Sequence, residues 1–324
     1  MSGDASAVGG DASAMSGDAS AVRGGGGPPV VVVTGASSGI GLSTARAFAA
    51  RGARLVLASR SADRLATVAA QCLAEGAAGA QVVVTDVAEA RSAQNLIDTA
   101  VAAHGRVDVV VHSATVMAYG TIEELPPEIF TAVVDTAIQG TFFVARAALA
   151  VFRSQHRGHL VVVNSLLGSI AAPQMGAYVV AKWGQAGLLR VLQLETRDEP
   201  GIMVSSVSPG GVNTPIYSQA ANVTGRSARP PLPVDSPEKV ARAILSCVDR
   251  RRARVSVGPT NPLIVAGFRL LPKVYDALVT PLLHLASLTR QPPTEPSTGN
   301  VLRPRPGGEA EHGRWPGPLG VPHR

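Results

Sequence analysis

The chain has 324 residues, 46% of them hydrophobic, and a formal charge of +6. That is enough apolar material for one large α/β domain or two small ones, and one domain with tails is the simpler reading. Only 16% of residues are charged, and the one basic cluster, Arg250, Arg251, Arg252 and Arg254, has no recognition motif beside it, which argues against a nucleic-acid partner.

Residues 1–21 are three heptapeptides, MSGDASA, VGGDASA and MSGDASA, built from small residues that cannot bury a core. Residues 1–27 are therefore expected to be a disordered tail. No basic start followed by an apolar run resembles a secretory signal. Cys72 and Cys247 fall in separate expected helices and form no disulfide or metal framework, which points to a reducing, cytoplasmic setting and no metal site.

Apolar runs then alternate with segments of helical period: 30–34, 53–59, 80–86, 107–114, 159–165, 202–208 and 254–258. About seven such strands, nearly continuous in Val, Leu and Ile and separated by helices, predict an α/β fold: a doubly wound, Rossmann-type parallel sheet covered on both faces. The helix expected over 128–152 is apolar on more than one side, through residues such as Phe130, Val134, Phe142, Phe143 and Phe152. That surplus suggests a second buried surface and a homo-oligomer. The apolar extension at 262–288 is interrupted by Arg269, Pro272, Lys273, Asp276 and Pro281, so it lacks a continuous transmembrane span. It could lie on a membrane surface as a peripheral contact or close over a substrate pocket. The expected catalytic domain is thus 28–290, and the Pro- and Gly-rich residues 291–324 are expected to wander.

The first strand runs into Gly35, Ala36, Ser37, Ser38, Gly39, Ile40 and Gly41 and then directly into a helix. Glycines there permit a tight turn and bring backbone N–H groups at the helix N-terminus up to a pyrophosphate. Farther on, Tyr178 and Lys182 are four residues apart on an expected helix and share a face, with Ser165 at a strand end thirteen residues before Tyr178. Reduction of a ketone by hydride leaves an alkoxide that needs a proton, and a phenol can deliver it if a nearby ammonium favours the phenolate. A serine hydroxyl can hold the substrate oxygen beside it.

In the spacing Gly-x-x-x-Gly-x-Gly, and in the Ser165, Tyr178 and Lys182 trio, the chain resembles the short-chain dehydrogenase/reductase family over about residues 29–258. The resemblance implies a nicotinamide-dependent oxidoreductase acting on a small carbonyl or alcohol, with Ser165, Tyr178 and Lys182 catalytic. It also implies that the glycine loop, Asp86, Val87, Ala114, Tyr178, Lys182, Pro209, Gly210, Val212 and Thr214 meet the cofactor. At the second strand's exit, where dinucleotide folds choose their cofactor, stands Arg60 rather than an acid. A guanidinium there can grip a 2′-phosphate, so NADP(H) is expected over NAD(H). Residues 215–233 occupy the place of the family's substrate lid, and Met117, Leu166, Met175 and Tyr217 suggest an apolar substrate.

The chain departs from the family at two places. After the fourth strand it has His112, Ser113, Ala114 and Thr115 in place of Asn-Asn-Ala-Gly, and His112 reads as a core histidine. Ala137 stands where relatives commonly place a catalytic Asn. These departures motivate a competing reading, a non-catalytic dinucleotide-binding sensor or scaffold, although binding alone does not require the trio.

Overall fold

The computed structural model describes residues 27–293 and 295–315. The expected tail at 1–27 therefore lies outside the described residues except for Gly27.

The seven apolar runs are the seven strands of one parallel sheet: β1 (Val30–Thr34), β2 (Arg54–Ser59), β3 (Gly79–Val84), β4 (Val109–His112), β5 (Gly158–Val163), β6 (Ile202–Pro209) and β7 (Arg254–Val257). Their spatial order is β7-β6-β5-β4-β1-β2-β3. Alternate residues explain why the strands are apolar throughout. Val31, Val33, Leu55 and Leu57 pack on one face against α1 (Gly39–Ala49), α2 (Ala62–Ala74) and α7 (Pro237–Arg250). Val32, Val56, Val110 and Val162 pack on the other against α3 (Ala90–His104), α5 (Gly140–Ser154) and α6 (Gly176–Glu195). Each fully buried valine or leucine contributes about 1.5–3 kcal/mol, so a polar residue at either register would be costly. Cys72 and Cys247 are both free thiols within the first of these layers.

Strand order reverses direction between β1 and β4, and a cleft opens there beyond the strands' C-terminal ends. The stretch expected as one helix is continuous from Pro127 to Ser154 but contains a π-helical segment, Asp135–Gln139, between α4 (Pro127–Val134) and α5. Among the described residues this is the one run long and apolar enough, by length and composition, to cross a membrane. Its Val144, Ala148 and Phe152 pack against the sheet, while Phe142 stays exposed, as do Val180, Val191 and Leu194 on α6.

Beyond β7 the apolar extension forms α8 (Asn261–Leu270) and α9 (Pro272–Ala286). Asn261 anchors it: the buried amide donates to the carbonyls of Ser208 (3.5 Å) and Val257 (2.8 Å) and to Ser256 Oγ (3.2 Å). Strand Leu288–Pro293 then pairs antiparallel with Arg226–Ala228.

The Pro- and Gly-rich segment does not follow its expectation. Residues 295–315 run across the sheet's C-terminal side, with Val301 only 2% exposed. Such a segment cannot build a core of its own, but it carries carbonyls and carboxylates, and it finds donors on β2 and α1. Arg60 donates to the Asn300 and Val301 carbonyls, and Ser43 to Glu311. Residues 316–324 lie outside the described residues.

Candidate functional site

The cleft at the reversal of strand order is a cavity of about 570 Å³, within the range of small-molecule sites. Its floor is the loop from β1 to α1. Gly35 and Gly39 both take left-handed backbone conformations, φ 67° and 53°. A Cβ on Gly35 would lie 2.8 Å from the Ala114 nitrogen, and one on Gly41 would lie 2.1 Å from the Gly35 carbonyl oxygen. The backbone therefore packs as closely as it does only because side chains are missing. Helix α1 has no acidic residue in its first turn and no side-chain cap from Ser38, so none of its own side chains neutralises its positive end. The loop and Arg60 at the β2 exit line a channel with donors, and Asp86 beyond β3 adds an acceptor at its side, an arrangement suited to a dinucleotide.

Most of the residues singled out in the sequence meet here. Gly35, Ser37, Ser38, Gly39, Ile40, Arg60, Asp86, Val87, Ala114, Ser165, Tyr178, Pro209, Gly210, Val212 and Thr214 all line this one cavity. Gly41 and Lys182 lie just behind the surface, Gly41 against the Gly35 backbone and Lys182 behind Tyr178. Asp86 does not cap a helix; its carboxylate accepts from Ala88 N–H at 3.0 Å and fixes the turn before α3.

Ser165 ends the segment after β5 and caps a short 3₁₀ turn, accepting from Leu167 N–H at 3.1 Å. With a lone pair used in this way, its hydroxyl hydrogen goes to the Tyr178 phenol and would pass to a ligand oxygen on binding. Tyr178 and Lys182 lie on one face of α6, the ammonium nitrogen 5.6 Å from the phenol ring centre. Lys182 is 1% exposed, and its Nζ donates to the Val163 carbonyl (3.1 Å) and to Gln185 Oε1 (2.9 Å). Burial pushes the amine down to about 7. Burial, followed by the neighbouring Tyr217 phenol, pushes Tyr178 up, while hydrogen bonding from Ser165 pulls the other way. The protein by itself thus holds the phenol protonated, the opposite of the lowering expected from a nearby ammonium, because loss of solvent outweighs the hydrogen bonds from Ser165 and Thr115.

His112 is a core residue as expected. Its Nδ1 is 2.9 Å from Thr34 Oγ1, and burial followed by the Lys182 charge lowers it to about 3. Sequence reasoning missed Gln185. This residue is fully buried, and its amide nitrogen donates to Thr141 Oγ1 (2.7 Å) and the Ala137 carbonyl (3.3 Å). Its place three residues after Lys182, on the same helix face, was the available signal. Of the two readings of the apolar extension, the structure shows the one in which it covers the cavity. Ile264, Leu271, Val274, Leu278 and Leu282 of the extension border the cavity beside the expected Met117, Leu166, Met175 and Tyr217. The extension therefore closes over the pocket.

Residues 29–223 match the family described as short chain dehydrogenase. The chain is 32% identical over 198 residues to a sepiapterin reductase of Chlorobaculum tepidum, covering 59% of this chain and 80% of that protein. An alcohol dehydrogenase from the archaeon Thermococcus sibiricus, solved with 5-hydroxy-NADP, superposes with a TM-score of 0.62 at 27% identity, covering 71% of this chain and 95% of that one. A short chain dehydrogenase/reductase from Burkholderia phymatum, solved with NAD, gives a TM-score of 0.67 at 26% identity over 78% and 96% of the two chains.

The buried amine has a thermodynamic consequence. Its folded-state pKa is depressed to about 7 from 10.5, so between those values the unfolded chain binds more protons than the folded one. Stability from this group therefore rises with pH across that window and is lowest at and below pH 7. In chemical denaturation, Lys182→Met should gain stability relative to the parent chain as pH falls from about 10 to 7; a difference constant over that range would show that the folded-state amine keeps its ordinary pKa.

Proposed function

The chain belongs to the short-chain dehydrogenase family and is an oxidoreductase using a nicotinamide dinucleotide, and on that premise we propose that it interconverts a carbonyl and an alcohol on an apolar substrate with NADP(H), Tyr178 serving as the general acid/base. The observation that carries this reading is the convergence of Ser165, Tyr178 and, behind them, Lys182 on one apolar-walled cavity that also takes in the glycine loop.

The glycine loop, Asp86, Val87, Ala114 and the segment from Pro209 to Thr214 would hold the cofactor. When bound, it supplies the hydride in its reduced form and a positive ring in its oxidised form. Ser165 donates its hydroxyl to the substrate oxygen and Tyr178 delivers the proton to that oxygen as the C–H bond forms. The phenol's elevated pKa keeps it protonated and ready in the reductive direction. Lys182, poised near neutrality, can then compensate the phenolate. Two apolar helices of the extension, α8 and α9, would exclude water from the substrate.

NADP(H) preference is assigned to Arg60, whose planar fork suits a phosphate better than the two backbone carbonyls it touches. The sensor reading loses its main support, since Lys182 keeps a positioned partner in Gln185 despite Ala137. A second copy of the chain is the partner assigned to the exposed apolar residues Phe142 of α5 and Val180, Val191 and Leu194 of α6, beside a groove that Phe142 shares with the half-buried Leu188 and the buried Leu192.

Tyr178→Phe should cut turnover by about 10²–10⁴ while NADPH still binds, because the ring packs but the proton is gone; full activity against a panel of ketones, aldehydes and quinones would remove Tyr178 from its role. Arg60→Asp should weaken NADPH by about 1.5–3 kcal/mol and spare NADH, and equal dissociation constants for the two cofactors in the parent chain would reject the preference. Sedimentation at micromolar concentration should find an oligomer, and a monomer would count against the shared groove.

A further inference from the structure

The channel read above as the dinucleotide site is crossed by the chain's own C-terminal segment, and the contacts fall on the groups assigned to the cofactor. Arg60 gives Nη2 to the Asn300 carbonyl (2.6 Å) and Nη1 to the Val301 carbonyl (3.1 Å). Next to it, Ser61 Oγ donates to Glu309 Oε1 at 2.7 Å. At the start of α1, Gly39 N–H donates to the Ala310 carbonyl at 2.9 Å. One turn on, Ser43 donates to Glu311 at 2.7 Å, and Arg46 pairs with the same carboxylate. Past the threonine loop, Gly313 N–H and Trp315 N–H donate to the Asn213 carbonyl (3.1 Å) and its Oδ1 (3.3 Å).

The pattern is that of an anionic peptide seated on an anion site. From Asn300 to Glu311 the segment offers carbonyls and carboxylates to the groove donors: the Ala310 carbonyl takes the first N–H of α1, Glu309 takes Ser61 at the β2 exit, and Glu311 takes Ser43 one turn into α1. Glu309 Oε2 is enclosed and has no hydrogen-bond partner among the described residues. A 2′-phosphate held by Arg60 would enter beside this carboxylate, and like charges in a water-poor cleft repel strongly. The single Gly39 N–H cannot serve both occupants, and the terminal nitrogens of the guanidinium are already turned to the strap's carbonyls.

We propose that residues 299–315 are an internal competitor for the dinucleotide groove, an acidic strap that NADP(H) must displace before the enzyme turns over. The inference rests on the assignment of that groove to a dinucleotide. The strap makes the binding-competent state a fraction of the population, and the apparent dissociation constant rises by the inverse of that fraction. Because Glu309 sits beside Arg60, the penalty falls more heavily on NADP(H) than on NAD(H).

Three measurements on the chain test this. The first is cofactor affinity in the Glu309→Gln, Glu311→Gln double variant, which keeps the chain length and removes both charges. NADPH should bind at least about fivefold more tightly than to the parent, with a smaller gain for NADH. The second is hydrogen exchange with saturating NADP⁺. The amides of Asn300, Gly313 and Trp315 are bonded to Gln219 and Asn213 and should lose protection as the strap leaves. In a Trp183→Phe background the half-buried Trp315 is the remaining tryptophan of the chain's two, and its emission should shift to the red. Unchanged affinity in the double variant, or stronger protection of these amides with NADP⁺ bound, would overturn the competitor and make the strap a clasp over the cofactor. No NADPH or NADH binding to either form would overturn the dinucleotide assignment, and the strap's role with it.

Discussion

A positive charge buried behind the cavity sets the terms for the rest of the site. Lys182 is 1% exposed, and an amine so placed is tolerated only if it is held by acceptors or gives up its proton. The chain does some of both. The Val163 carbonyl at the end of β5 and the amide of Gln185 accept from Nζ, and burial brings the amine to about 7. Satisfying this one group ties α6 to the end of β5. With α6 fixed there, Tyr178, one turn earlier, faces the cavity, and Ser165 leaves the same strand two residues beyond Val163. The geometry of the trio thus follows from the accounting of a single ammonium.

The same cavity divides into two electrostatic halves. Toward β1 and β2 it presents donors: the loop backbone, Arg60, Ser61 and the uncapped end of α1. Toward the extension it presents Ile264, Leu271, Val274 and their neighbours. Such a surface selects a ligand that is anionic at one end and apolar-compatible at the other, as a nucleotide beside an apolar substrate would be. The acceptor-rich C-terminal segment lays its carbonyls and carboxylates on the donor half, as complementarity of charge requires, while its Val301 and Trp315 join the apolar cluster that holds Tyr217 and Leu288.

The sheet was legible in the sequence because its valine runs are buried on both faces, so seven strands announced themselves without any alternation. Ends were less legible. The fourth strand stops at His112, two residues short of its apolar run, because Ser113 N–H and Ala114 N–H turn to Thr34 Oγ1. The motifs were legible because they are local: loop, turn and one helix face. The C-terminal segment was not, since composition measures whether a stretch can make its own core and says nothing of acceptors borrowed by donors some 250 residues away. The apolar extension left two readings open for a related reason. Periodicity gives a helix an apolar face but not the surface it meets, and Asn261, whose buried amide fixes the helix start, is an unremarkable loop residue in the sequence.

Ala137 shows how a lost side chain can be replaced by backbone. Its carbonyl, within the π-helical segment Asp135–Gln139, accepts from both Thr141 Oγ1–H (2.6 Å) and Gln185 Nε2 (3.3 Å). Gln185 also donates to Thr141 Oγ1 at 2.7 Å, so both of its amide hydrogens are used and its carbonyl oxygen has one place left to point, which is Lys182 Nζ. An amide is therefore presented to the lysine, but from the lysine's own helix rather than from the facing one. Every group in this network has a partner, as a buried polar chain must if it is not to cost more than an apolar filling. A methyl group at 137 leaves room for that arrangement, and a larger polar side chain would compete for the carbonyl and hydroxyl that now fix Gln185. The departure from the family pattern and the unexpected glutamine are then two halves of one solution to holding the same ammonium.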